Sequence, residues 1–180
     1  MKKLSTIALF AIILAACGQP AVDNSGAAEV EAAPNQASAT LSADEQKAVF
    51  TAIGLAADAK GQVENECGEK VTPQILSADF GGPVGVAQIV IVPGGPNTIT
   101  CYGDGPGLLT IVQRQGSAFK GIFTDRGGIS ILPSTHQGAH DISVGGPGFS
   151  FPVFSWNGAE YAPANKTISD TEFAKGQMLP

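Results

Sequence analysis

Positive charge is scarce in this sequence. Its 180 residues include 10 Lys and Arg against 16 Asp and Glu, which gives a formal net charge of −6 at pH 7. Proteins that bind nucleic acid or anionic lipid by electrostatic attraction present clusters of basic residues. The composition therefore argues against a nucleic-acid partner and against electrostatic binding to a membrane surface.

Residues with reactive side chains are also few. The chain has two His, three Cys and one Trp, and it lacks the G-x-S-x-G, H-E-x-x-H and P-loop motifs of common enzyme classes. These absences predict that the protein is not an enzyme, and we expect neither a cofactor nor a metal. An envelope hydrolase with a site that follows no short motif stays open as an alternative.

Long hydrophobic runs are absent too. The N-terminal apolar run, Leu4–Leu14, is shorter than the roughly 20 residues that a membrane-spanning helix needs. It follows Lys2 and Lys3 and ends in the sequence LAAC, which closes at Cys17. A basic start, a short apolar stretch and small residues before a cleavage point are the layout of a secretory signal.

The LAAC segment resembles the lipobox of bacterial lipoproteins. This resemblance implies that residues 1–16 are a signal peptide and that Cys17 becomes the lipidated N-terminal residue, carrying fatty acyl chains such as palmitate. Loss of Lys2 and Lys3 lowers the net charge from −6 by two, to −8. The resemblance also implies an outer-membrane location facing the periplasm, because Gly18 replaces the Asp that marks inner-membrane retention. An ordinary signal peptide with an incidental Cys is the alternative.

Composition divides the remaining chain into three parts. Residues 17–40 are rich in Ala, Pro, Asn and Ser without periodicity, which predicts a disordered tether. Residues 41–165 are predicted to form a β-rich globular domain. The sequence pattern weakens after Ala162, and we expect residues 166–180 to be a C-terminal tail with a short capped helix at Ser169 at most.

The domain pattern predicts an α+β fold that is mainly β. Ser42 and Glu45 form a capping box that predicts a helix over residues 43–53. Period-two alternation and turn residues dominate from Gln74 onward, so we expect an antiparallel sheet of about seven to nine short strands with the helix packed on it. Strands are predicted at 87–92, 98–102, 108–114, 118–124 and 129–132, the last closed by Pro133.

The stretch Asp141–Tyr161 holds the only Trp and organises the predicted sheet. Phe149, Phe151 and Val153 are predicted to lie on one face of a strand, with Phe154 and Trp156 on the other. The Asn157-Gly158 pair predicts a type I′ hairpin turn. Pro152 cannot donate to a ladder, which predicts an edge strand or a bulge.

Residues from about 41 to 161 resemble a group of small exported proteobacterial proteins of unknown function. The resemblance rests on Leu41-Ser42, Cys67, the segment 78–92, Cys101-Tyr102-Gly103 and the signature over 141–161. The loop and strand at 78–92 are similar to FG-GAP/VCBS repeats, which often bind calcium. Only one carboxylate, Asp79, remains in this loop, so a plain turn is expected there. The resemblance implies fold and compartment rather than mechanism.

Two cysteines remain if Cys17 is lipidated. Cys67 and Cys101 form an even pair in an oxidising compartment, which predicts a structural disulfide, while a redox or metal-binding thiol pair is the alternative. His136 and His140 are four residues apart, but Pro133 and Gly138 place them in a predicted loop, either as a solvated loop or as part of a metal site. Trp156 and Tyr161 are either an exposed aromatic platform for glycan or protein, or the edge of the core.

These observations favour a membrane-anchored envelope lipoprotein of unknown specific role. We expect a non-catalytic binding or structural module held to the membrane by its N-terminal lipid, with a protein or glycan partner in the envelope. One alternative is an inhibitor of a periplasmic or host enzyme such as a lysozyme, acting through a loop such as Gly103–Gly107. The other is the envelope hydrolase, for which His136, His140 and Asp141 are the only candidate cluster.

Overall fold

A computed structural model describes residues 41–103, 105–146 and 148–179. The predicted signal peptide, the lipidation site Cys17 and the tether 17–40 lie outside these residues. Within the described ranges, none of the helices has the length and apolar character needed to cross a membrane.

The described chain contains three α-helices and eleven strands. The helices are α1 (Ala43–Ala52), α2 (Thr98–Tyr102, after a 3-10 turn at Gly95–Asn97) and α3 (Asp170–Phe173). The strands are β1 (Val63–Glu64), β2 (Lys70–Val71), β3 (Gln74–Asp79), β4 (Val86–Val92), β5 (Leu108–Gln115), β6 (Ala118–Arg126), β7 (Ile129–His136), β8 (Ala139–Val144), β9 (Ser150–Trp156), β10 (Tyr161–Ser169) and β11 (Gln177–Leu179).

The strands form three antiparallel sheets. One is the small β1-β2 hairpin, one has four strands in the order β3-β4-β5-β6, and one has five strands in the order β10-β9-β8-β7-β11. The predicted α+β, mainly β class with antiparallel pairing is confirmed. The expected single sheet is wrong, because the strands divide between two larger sheets that share one core.

Apolar side chains from both larger sheets meet in the main core. Ile89 and Ile111 of the four-stranded sheet and Ile142 of the five-stranded sheet are fully buried members of it. Strand β4 is buried along nearly its whole length and lies between β3 and β5, which confirms the predicted central strand at 87–92. Its two apolar faces pack in different clusters: Ile89 lies in the main core, and Val90 lies in the cluster under α1.

Helix α1 covers the outer face of the four-stranded sheet. The hydroxyl of Ser42 accepts from the N–H of Glu45, and the Glu45 carboxylate accepts from the N–H of Ser42, which completes the predicted capping box. Val49 and Phe50 are buried in one cluster with Val90, Val92 and Val112 of the sheet. The chain leaves the helix at Gly54, whose φ of +75° favours glycine.

The segment Thr98–Tyr102 is a helix, so the predicted strand there is wrong. The N–H of Gly103 donates to the carbonyl of Ile99, which is the i to i−4 hydrogen bond of an α-helical turn. Ile99 is 77% exposed, whereas Tyr102 is buried. Gly103, with φ of +71°, ends the segment. A five-residue segment is too short for its apolar pattern to separate the two periods.

Pro133 does not end β7, contrary to the prediction. The strand runs on to His136 and pairs with β8, and the register shifts between Ile131 and Thr135 so that Pro133 sits in a bulge. The turn that follows has only two residues, Gln137 and Gly138, with φ of 48° and 85°. The two His residues therefore lie in paired strands and not in a loop.

The hairpin at Asn157 is confirmed, but its turn type is not I′. Tyr161 pairs with Trp156, which leaves a four-residue loop, and the Asn157 side chain accepts from the N–H groups of Ala159 and Glu160. An Asn side chain that accepts from backbone two residues ahead stabilises such a turn. Pro152 lies in β9, an interior strand, next to a register shift in the partner strand between Pro163 and Thr167.

The C-terminal segment 166–179 belongs to the folded domain, so the expected tail is wrong. Strand β10 continues to Ser169, which caps α3 with Glu172, and β11 then pairs with β7. Leu179 is 4% exposed and packs in the main core. The apolar signal in this segment comes from single residues, Ile168, Phe173 and Leu179, which is too sparse to show a period.

Truncating Leu179 tests whether the C-terminal strand supports the core. We expect Leu179→Ala to lower the free energy of unfolding by about 2–4 kcal/mol, because it leaves a cavity between the sheets. The neighbouring Met178 is 59% exposed, and Met178→Ala should change stability by less than about 0.5 kcal/mol. Equilibrium denaturation of both variants makes the comparison. If Leu179→Ala lowers the free energy of unfolding no more than Met178→Ala does, then Leu179 does not support the core.

The capping box makes a prediction about pH. The backbone N–H of Ser42, the Arg114 guanidinium and the Ser42 hydroxyl together lower the pKa of Glu45 from 4.5 to about 2. A depressed pKa in the folded state stabilises the fold above pH 4.5, and this contribution is lost as the pH falls towards 2. An NMR titration should place the Glu45 midpoint near 2. In Ser42→Ala the midpoint should rise but stay below 4.5, because the backbone N–H still donates.

Candidate polar cavity on the five-stranded sheet

Trp156 and Tyr161 are buried, so they do not form the exposed platform considered above. Trp156 is 3% exposed and Tyr161 is 5% exposed, and their ring centroids lie 5.7 Å apart within the main core. Trp156 shares a face of β9 with Phe154, and that face points towards the other sheet. The Tyr161 hydroxyl donates to the carbonyl of His140 at 2.9 Å.

His136 and His140 lie on opposite faces of the β7-β8 hairpin. His136 pairs with Ala139 and His140 with Thr135, and side chains of successive residues in a strand point to opposite faces. The Nδ1 atom of His140 lies 2.8 Å from the carbonyl oxygen of Leu132. A carbonyl oxygen only accepts, so Nδ1 carries the proton. The two imidazoles therefore cannot bind one ion together, and among residues 41–103, 105–146 and 148–179 no three His, Cys, Asp or Glu side chains form a metal-binding group.

His136 instead borders a cavity of about 460 Å³, which we name the Asp141 cavity. It opens on the outer face of the five-stranded sheet, away from the main core. Its polar lining consists of His136, Gln137, Asp141, Ser155, Asn157 and Lys166. A cavity of this volume lies within the range of small-molecule sites in proteins.

The carboxylate of Asp141 is held in place by two hydroxyl groups. Oδ1 accepts from the Ser155 hydroxyl at 2.6 Å, and Oδ2 accepts from the Ser134 hydroxyl at 2.7 Å. Asp141 is 8% exposed. Hydrogen bonds to an ionised carboxylate are short and strong, so the two serines fix both its position and its orientation. Burial raises the pKa of the Tyr161 phenol, and the nearby charge of Asp141 raises it further.

The strand register explains why these groups converge. Ile142 pairs with Phe154 on the inner face, so the adjacent positions in the same register, Asp141 and Ser155, face outwards together. Ser134 lies in the bulge of β7, which brings its hydroxyl to Asp141. The second irregularity, between Pro163 and Thr167 in β10, contains Lys166. Two bulges thus flank the cavity, and bulges commonly re-aim side chains at functional sites.

The predicted disulfide joins Cys67 to Cys101, with the Cα atoms 5.8 Å apart. It ties the turn after β1 to α2. The Asn65 side chain orders that turn by accepting from the N–H groups of Cys67 and Glu69, and the N–H of Glu66 donates to the Tyr102 hydroxyl. The two cysteines are 34 residues apart in sequence. In the chain-entropy model, a bridge that closes a loop of this length raises the free energy of unfolding by about 4 kcal/mol.

A second cleft, of about 760 Å³, lies next to this disulfide. Its lining is mostly glycine, with Ile99, Tyr102 and Arg126 beside it. Arg126 is paired with Glu66 at 2.7 Å and stacks over Tyr102. The loop Gly103–Gly107, considered above as an inhibitory loop, borders the cleft, but its Asp104 lies outside the described residues. Among the described residues, the one charged side chain in the lining of this cleft, Arg126, is thus already paired with an acidic residue.

The sequence pointed to His136 and Asp141 but missed Ser134, Ser155 and Lys166. The signal for Asp141 is a carboxylate in a strand that also holds Ala139, Ile142 and Val144, because a buried carboxylate needs hydrogen-bonding partners. Nothing local marks Ser134, which reaches Asp141 only through the bulge in β7.

Comparisons of the chain with protein-family models, with curated proteins and with solved structures find no match.

Removing one hydroxyl from the Asp141 network tests whether it is a fixed feature of the fold. We expect Ser155→Ala to lower the free energy of unfolding by about 1–3 kcal/mol, because a buried carboxylate oxygen loses its donor. Ser150, an exposed residue in the same strand, provides the matched control. Ser150→Ala should stay within about 0.5 kcal/mol of the parent protein in equilibrium denaturation. Equal stabilities of the two variants would contradict the network.

Proposed function

We propose that this protein is a lipid-anchored module of the bacterial cell envelope that binds its target without catalysing a reaction. The observation that carries the proposal is the N-terminal sequence, in which Lys2, Lys3 and an apolar run lead into LAAC and Cys17. Signal cleavage before Cys17 leaves that thiol for diacylglycerol and the new amino group for a further acyl chain. Two or more chains anchor a protein stably, whereas one does so marginally.

The disulfide supports an extracytoplasmic location. Structural disulfides persist in the periplasm and outside the cell and are rare in the cytosol. Cys67 is on the surface of the domain, where cytosolic reductants would reach it. Gly18 in the position after Cys17 favours the outer membrane, and residues 17–40 would tether the domain to it.

The Asp141 cavity supports a binding role. Binding sites are concave and carry a small number of polar groups fixed in orientation. Asp141 meets this description, because two serine hydroxyls position its carboxylate at the cavity wall. A partner in the envelope, either a soluble ligand or an exposed part of a larger molecule, fits a site that opens away from the main core.

A hydrolase is the second candidate function, and one observation favours it. His136, Asp141 and Ser155 line the same cavity, and the Ser155 hydroxyl is 2.6 Å from the Asp141 carboxylate. His140, part of the cluster considered from the sequence, faces elsewhere. Turnover of an envelope ester or peptide that is lost in both Ser155→Ala and His136→Gln would favour the hydrolase over the binding module.

Replacing Cys17 tests the anchor. We expect the parent protein to incorporate labelled palmitate and to sediment with membranes, because its N-terminal residue is acylated. Cys17→Ser should abolish labelling and leave the protein in the soluble periplasmic fraction or unprocessed. The matched control is Cys67→Ser combined with Cys101→Ser, which removes the disulfide and both other cysteines but keeps the anchor and should label normally. A free thiol at Cys17 in intact mass spectra of the parent would contradict the proposal.

A further inference from the structure

Asp141 carries a buried charge that no cation of the described chain neutralises. The ion pairs in residues 41–103, 105–146 and 148–179 are Lys70–Asp58, Arg114–Glu45 and Arg126–Glu66, all at the surface. Asp141 has two neutral hydroxyl donors instead. Burying a carboxylate without a paired cation is costly, so a carboxylate held at a cavity wall by neutral donors suits a positively charged binding partner.

The geometry leaves room for that partner to bind directly. A carboxylate oxygen has two acceptor sites, and each oxygen of Asp141 uses one of them for a serine hydroxyl. Each oxygen can therefore accept one further hydrogen bond. An ammonium group has three donors and can donate to both oxygens. Because the serines already fix the orientation of the carboxylate, little conformational entropy is lost there when a ligand binds.

A positive group stands on the rim of the same cavity. Lys166 lies in the bulge of β10 and is exposed. Hydrogen bonds from Ser169 lower the pKa of Glu172, and the charges of Lys166 and Lys175 lower it further. One oxygen of the Glu172 carboxylate accepts from the N–H and the hydroxyl of Ser169 at 2.9 Å and 3.0 Å. Among the described residues Lys166 forms no ion pair, so its ammonium group can contact an anionic group in the cavity.

We propose that the Asp141 cavity binds a small zwitterion, an α-amino acid or the backbone ends of a dipeptide. Asp141 binds the α-ammonium group and Lys166 binds the carboxylate, in a cavity that Gln137 and Asn157 also line. The volume of about 460 Å³ accommodates ligands of this size. This assignment names the ligand class for the binding role proposed above and rests on it.

Calorimetry with the full-length acylated protein in detergent tests the ligand class. The probes are the twenty common α-amino acids and alanylalanine at low salt and pH 7. For each zwitterion that binds, the matched compounds are its N-acetyl derivative, which lacks the ammonium charge, and its amide, which lacks the carboxylate. We expect at least one zwitterion to bind, and both derivatives to bind at least about tenfold more weakly. No binding by any probe, or equal binding by the derivatives, overturns the proposal.

Two variants locate the bound ligand. Asp141→Asn keeps the shape of the side chain, and we expect the Kd of the zwitterion to rise at least about tenfold. Lys166→Gln changes an exposed residue, so the fold is kept even if Asp141→Asn does not fold. In Lys166→Gln the zwitterion and its amide should bind equally. The control, Lys175→Gln, changes an exposed Lys that does not line the cavity and should bind as the parent does. Parent-like preference in Lys166→Gln overturns the proposal.

The outcomes separate this proposal from the proposed anchor. Acylated protein that binds no zwitterion overturns the cavity assignment and leaves the lipoprotein intact. Zwitterion binding by a protein with a free Cys17 thiol overturns the anchor and leaves the cavity assignment intact.

Discussion

The apolar interface between the two larger sheets is the constraint on which the rest of this structure depends. Each sheet gives one face of alternating side chains to it, as Ile89 and Ile111 do from one side and Ile142 and Trp156 from the other. Because alternation has a period of two, fixing these residues inwards sends their neighbours outwards. On the four-stranded sheet the outward residues include apolar ones such as Val90 and Val112, and α1 packs on these. On β8 they are Asp141 and Ser143, which are polar.

The outer face of the five-stranded sheet is therefore where the chain has room for a site. Part of it is closed by an apolar cluster of Leu132, Phe151, Val153 and Ile168, with Phe173 of α3 packed against it. Ser130 and Ser143 are fully buried there and donate to backbone carbonyls. Among the residues that the structure describes, Asp141 is the one charged member of this face that is buried. The bulges of β7 and β10 lie beside it. The same irregularities that interrupt the ladders thus provide the cavity.

Local signals in the sequence predicted the parts of the fold that local chemistry determines. The capping box at Ser42, the central strand at 87–92 and the strands at 108–114 and 118–124 are each specified within a few residues and are confirmed. The predicted pairing of Cys67 with Cys101 is confirmed as well. The strand predicted at Thr98–Tyr102 failed because neighbouring contacts, including the disulfide and the burial of Tyr102, favour one helical turn over a weak alternation.

The candidate site could not be predicted as a whole, because it depends on irregular register between paired strands, which local sequence does not show. Ser134 reaches Asp141 because the pairing register between β7 and β8 shifts at the bulge in β7. Lys166 lies at the rim because the register between β10 and β9 shifts in the same way. Adjacency in sequence suggested His140 as the partner of Asp141, yet alternation places adjacent strand residues on opposite faces. His136 is five positions from Asp141 along the chain, but it pairs with Ala139 of β8. Ala139 and Asp141 are two residues apart in that strand and lie on the same face, so His136 shares the face of Asp141. The sequence could thus indicate Asp141 as a candidate site residue, whereas the bulges determine which side chains surround it.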